Sequence, residues 1–144
     1  MQVFIIGTPL ETARALDPRR LNKQRIEARQ ILDAIMGRSR AWRNHPCTIQ
    51  YRNHYFWLQT YSLILDTFSA GLHVPSYINE YAEITRPPFH TQEYFDQMKR
   101  RLYTKDPNHY AQWAHLGTSE VNWYFVDGTW KHYINRKLIK TIKL

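Results

Sequence analysis

Glu27 stands in a basic stretch of the chain, "LDPRRLNKQRIEARQIL" (Leu16 to Leu32), surrounded by Arg19, Arg20, Lys23, Arg25 and Arg29. A carboxylate among cations has two uses. Exposed on a helix, it pairs with Lys23 at i,i+4 in the less favourable order, an interaction of about 0.3 kcal/mol. At the rim of a cleft, it faces positive charge developing on a sugar while the cations hold phosphates. Spacing alone favours the plain ion pair.

Either use requires a helix to present these side chains. Asp17-Pro18 supplies an N-cap followed by proline at the first helical position, and Gly37 supplies a stop, so a helix is predicted from Pro18 to about Met36. Leu21, Ala28, Ile31, Leu32 and Ile35 form its apolar stripe. With about 100° of rotation per residue, Arg20, Lys23, Glu27 and Gln30 line one flank beside that stripe.

A second cluster is "WRNHP", Trp42 to Pro46. Structurally, Asn44 or His45 caps the helix that Pro46 starts, and Trp42 packs as a hydrophobic staple. Functionally, Arg43, Asn44 and His45 put charge and donors at a helix N-terminus suited to phosphate. The two readings carry similar weight. The aromatic run Tyr51, Tyr55, Phe56, Trp57 and Tyr61 offers stacking surfaces for bases, but at helical spacing most of it belongs in a core. In "MKRRLYTKDPNHY", Lys99, Arg100 and Lys105 suit phosphates better than bases.

The remaining elements follow from punctuation. "MQVFII" is a short buried strand or an extended arm. A long helix is predicted from Pro46 to near Gly71, and a shorter one after Val74-Pro75. Thr91 caps another to about Tyr103, and Asp106-Pro107 opens the last, through Trp113. "NWYFV", Asp127-Gly128 and "TWKHYI" make a β-hairpin signature, whose outer face is free to touch nucleic acid. The expected fold is mainly α: a compact single-domain helical bundle over residues 1–144. It has a short N-terminal extended segment and a C-terminal β-hairpin, with 121–144 as the hairpin extension.

Composition sets the class of partner. Twenty Lys+Arg against twelve Asp+Glu give a net charge of +8, which favours a polyanion. The cations are uneven: nine Lys/Arg face three acids between Arg14 and Arg43. Cys47 is the only cysteine, no apolar run reaches membrane-spanning length, and "MQVFIIGTPL" lacks a basic leader region. These features predict a soluble cytoplasmic protein with no membrane partner. Paired CxxC, HExxH, phosphate-loop and EF-hand spacings are absent, so neither metal nor cofactor is expected. A Cys47 nucleophile with His45 two residues away has unfavourable geometry.

Taken together, "LDPRRLNKQRIEARQIL", "WRNHP" and "KDPNHY" resemble the pyrimidine-dimer DNA glycosylase family, the phage endonuclease V-like repair enzymes, through a phage and bacterial branch of it. The resemblance implies a helical protein that flips a nucleotide from damaged double-stranded DNA and cuts its N-glycosidic bond, acting in the bacterial cytoplasm. It places the essential carboxylate at Glu27 and the nucleophile at the N-terminal α-amine, here Met1. As a class, α-amines lose their proton more readily than lysine does. Gln2 is a poor neighbour for removal of an initiator Met, which leaves three routes: attack by the Met1 amine, water activated by Glu27, or a lost nucleophile. Arg19, Arg20, Lys23 and Arg25, with Arg43, Asn44, His45, Lys99 and Arg100, are the expected DNA contacts. AP-lyase chemistry accompanies base removal where an amine attacks, and the substrate is a damaged or modified base. The competing class is a non-enzymatic DNA-binding or host-interaction protein that leaves every base intact.

Overall fold

Thr8 begins the first helix. Its hydroxyl oxygen accepts from the Glu11 amide at 3.1 Å, and Pro9 fits the first helical position, so α1 runs Pro9–Ala15. The computed structural model describes residues 1–143, which form two compact units, one over Met1–Pro88 and the other from Phe89 onward.

In the first unit α2 spans Pro18–Ile35, as its proline start and glycine stop require. Asp17 holds the N-cap position, but its carboxylate turns to Arg20 at 3.3 Å instead of bonding a helix amide. The long helix expected from Pro46 to Gly71 is two helices, α3 (Pro46–Tyr51) and α4 (Tyr55–Ser69). Between them the His54 amide donates to the Tyr51 carbonyl at 2.8 Å, a tight turn that redirects the chain without proline or glycine. Across the break Tyr51 stacks on Trp57 at 5.5 Å, and Trp57 stacks on Tyr61 at 5.2 Å. All three are fully buried, so most of the aromatic run is core as expected, apart from the half-buried Tyr55 and the exposed Phe56. Helix α5 covers Ser76–Ile84.

"MQVFII" forms an extended arm and no strand. Val3, Phe4 and Ile5 are buried in the same unit as Ala28 and Ile31 of α2 and Leu58, Ile64 and Leu65 of α4. Helices α2 and α4 are also joined by charge: Asp66 accepts from Arg25 Nε at 2.8 Å and from Arg29 Nη2 at 2.6 Å. Burial would raise the Asp66 carboxyl above its ordinary value of 3.8, but the two guanidinium groups outweigh burial and hold it below. A depressed carboxylate contributes stability above its unfolded value, and that stability is lost as pH falls through the lower folded value. Asp66→Asn should therefore lower stability at pH 7 by about 1–2 kcal/mol. The gap in melting temperature between variant and parent should close below pH ~4.

In the second unit α6 spans Gln92–Lys105, capped by the Thr91 hydroxyl, which accepts from Tyr94 N at 3.3 Å. The helix expected from Asp106-Pro107 is a turn followed by a 3-10 helix, Ala111–Leu116. Asp106 Oδ1 accepts from the His109 amide at 3.1 Å, and that side-chain turn competes with an α-helical start. The predicted hairpin is present as β1 (Asn122–Val126) and β2 (Thr129–Ile134), with Asp127 and Gly128 at φ 52° and 75°. A third antiparallel strand, β3 (Lys137–Lys143), extends it in the order β1-β2-β3. The chain is mainly α, with a terminal sheet larger than the sequence suggested.

Candidate active site around Glu27

The N-terminal arm lies along α2 because one buried side chain satisfies its backbone from both sides. Gln24 Oε1 accepts from Phe4 N at 2.8 Å, and Gln24 Nε2 donates to Gln2 O at 2.7 Å. The Tyr61 hydroxyl donates to Phe4 O at 2.7 Å and lies 2.9 Å from Gln24 Oε1. An extended arm has no ladder partner of its own, and these contacts replace one. One helical turn further along α2, Glu27 Oε2 accepts from Gln2 N at 3.0 Å.

Glu27 is thus no ordinary surface charge. Its side chain is 12% exposed, whereas Lys23, with Nζ at 3.7 Å from Glu27 Oε1, is 66% exposed. The i,i+4 pair expected from spacing exists, but only its lysine end is solvated. The carboxylate is committed inward, to the backbone beside Met1.

The start of α3 reaches the same place. His45 is the cap: its Nδ1 accepts from Cys47 N at 3.1 Å. Burial pushes the Cys47 thiol up to about 12; the N-terminal amine and a bond to the Val3 backbone oppose that rise, and the Glu27 carboxylate adds to it. Cys47 is therefore a neutral, buried packing residue in the field of both groups, not a nucleophile. Trp42 does not form the expected staple. It is 41% exposed, meets His45 edge-on at 5.8 Å, and adopts φ 64°, with its carbonyl accepting from His45 N at 3.1 Å. A bulky side chain in the left-handed region is crowded against its own backbone, and here a closed turn holds it.

The other expected contacts are scattered in what they do. Arg19, Arg43 and Asn44 are exposed, while Arg20 is paired with Asp17. Arg25 is held by Asp66 and by Ser69 Oγ at 3.1 Å. In the second unit Lys99 lies 3.8 Å from Asp96 and 5.9 Å from the Trp113 ring centre, and Arg100 Nε donates to Leu116 O at 2.9 Å. Sequence reasoning missed Gln24, and it took Tyr61 as an aromatic of the run without its hydroxyl contacts. For Gln24 the available signal was its place on the buried face of α2, in line with Ala28 and Ile31.

Residues 1–66 match the family model described as pyrimidine dimer DNA glycosylase, which supports the resemblance drawn from the sequence. The matched segment holds the arm, Gln24, Glu27, His45, Cys47 and Tyr61. No curated protein and no solved structure matches the chain. No helix among the described residues is long and apolar enough to cross a membrane.

Proposed function

We propose that this protein is a DNA N-glycosylase acting on a damaged or modified base in duplex DNA, with Glu27 as its carboxylate and the Met1 α-amine as its nucleophile. The observation that carries this reading is the 3.0 Å bond from Gln2 N to Glu27 Oε2, inside the segment that matches a glycosylase family. It supports an N-terminus fixed beside a shielded carboxylate.

The chemistry follows from that pairing. The amine nitrogen bonds to the anomeric carbon of the flipped nucleotide, and the carbon–base bond breaks with its electron pair leaving on the base. Glu27 stabilises the cationic sugar and accepts the proton that the amine sheds. Opening of the sugar ring leaves an iminium ion, and β-elimination from it would nick the strand, which is the proposed AP-lyase step. Arg19, Lys23, Arg43, Asn44 and His45 are the proposed phosphate contacts near the site, with Arg20 and Arg25 acting after exchange of their present carboxylate partners. Lys99 and Arg100 are the proposed contacts from the second unit.

Borohydride trapping on an abasic-site duplex tests the amine route. A covalent protein–DNA adduct mapping to residue 1 is expected. Normal DNA binding without any adduct would remove the amine from the mechanism, and intact bases in irradiated duplex would remove the glycosylase reading altogether.

A further inference from the structure

The family match ends at residue 66, so the sheet of the second unit lies outside it and needs its own account. From Asn122 to Lys143 there are five cations, Lys131, Arg136, Lys137, Lys140 and Lys143, against the single acid Asp127. Four of the five are exposed, and Lys131 is half-buried. Among the described residues none of them forms an ion pair. The cations of α2 named above have carboxylate partners, apart from Arg19, so the sheet carries much of the charge left uncompensated.

Two features aim that charge. First, His132 pairs with Lys140 and Tyr133 with Leu138, which makes Ile139 an extra residue on β3. Lysines three apart on a regular strand point to opposite faces. The bulge at Ile139 removes that offset, so Lys137, opposite Ile134, and Lys140, opposite His132, share one face with Trp123. Trp123 stacks on His132 at 4.6 Å. Second, Asn135 and Arg136 form the β2–β3 turn at φ 48° and 67°, both left-handed. The β1–β2 turn has glycine at the second of these positions, at φ 75°. Glycine is the residue that such a turn favours, and here an exposed arginine occupies it against its conformational preference.

We propose that this sheet is a second DNA-contact surface, gripping the phosphates of duplex DNA through Arg136 at the turn and Lys137 and Lys140 on one face. These cations extend from the turn along roughly 10 Å of strand, a row suited to a duplex backbone rather than to a compact headgroup site. Edge protection is the plainer use for lysines on β3. The β1 edge is covered by α6, where Gln97 Nε2 donates to Val121 O at 2.7 Å and Arg101 Nε to Asn122 Oδ1 at 2.9 Å, and β3 is the outer strand on the other side. Edge protection gives no reason for the arginine at the turn. The proposal does not rest on catalysis: binding of undamaged duplex involves no base release, so failure of the glycosylase reading leaves this one intact.

Fluorescence anisotropy of the full chain on undamaged duplex, across a salt titration, tests it. Changing Arg136, Lys137 and Lys140 to Gln together should reduce the slope of log affinity against log salt by about 2–3. Arg136→Gly should weaken binding while raising the melting temperature, opposite signs that a purely structural residue would not give. An unchanged slope in a cooperatively melting triple variant would overturn the proposal. So would a triple variant that self-associates with unchanged DNA affinity, the outcome for edge protection alone. A parent protein that prefers phosphatidylserine vesicles to duplex would overturn it in favour of a lipid surface. Should the triple variant fail to fold, Arg136→Gly decides: tighter or unchanged binding with a higher melting temperature overturns the proposal.

Discussion

Glu27→Gln is expected to lower base release from irradiated duplex DNA by about 10²–10³-fold while the protein keeps its fold. The amide is nearly isosteric, and its oxygen still accepts from Gln2 N, so the bond that positions the arm survives. What disappears is the negative charge facing the cationic sugar and the base that takes the amine proton. Lys23 loses its partner, but at 66% exposure it remains solvated and the loss to stability is small. Turnover and melting temperature measured together separate the roles. Unchanged turnover would end the catalytic assignment, whereas a large fall in melting temperature would recast Glu27 as a structural anchor.

The largest stability effect is expected at Gln24. Its side chain serves Phe4 N, Gln2 O and the Tyr61 hydroxyl in a buried setting. Gln24→Ala removes one bond from each of those groups and opens a void, at a cost of about 2–4 kcal/mol. For a chain of this size that corresponds to a melting temperature lower by roughly 8–15 °C. Activity should fall as well, because the arm that carries the N-terminus is released. Tyr61→Phe removes only the hydroxyl contacts and should cost about 1–2 kcal/mol. Thermal melts of the two variants, read beside adduct yield in the trapping reaction, check the order. A Gln24→Ala protein that melts with the parent would show that the arm is anchored elsewhere.

Local signals explain which parts of this fold were legible. Helix α2 was bounded correctly because Pro18 and Gly37 are punctuation with a physical cause, and Thr91 and Asp127-Gly128 worked in the same way. The Thr8–Glu11 capping pattern was equally local and was passed over. The break between α3 and α4 was not legible, since no proline or glycine marks it and the apolar spacing runs on through it. Long-range pairings were further out of reach. Nothing within α2 states that Gln24 meets an arm 22 residues away, or that Arg25 and Arg29 meet Asp66 across 41 and 37 residues. The site shows the same division: residue types singled out Glu27, while its burial and its contact with Gln2 needed the three-dimensional fold.

The extended arm has a practical side for anyone making the protein. Its backbone is pinned at Phe4 and again at Gln2, which leaves a single residue between the Glu27 contact and whatever is joined ahead of it. A purification handle fused before Met1 would therefore begin one residue from the carboxylate contact and convert the α-amine into a peptide nitrogen. Handles belong at the other end, or must be cleaved to restore residue 1, before a lack of activity is taken at face value.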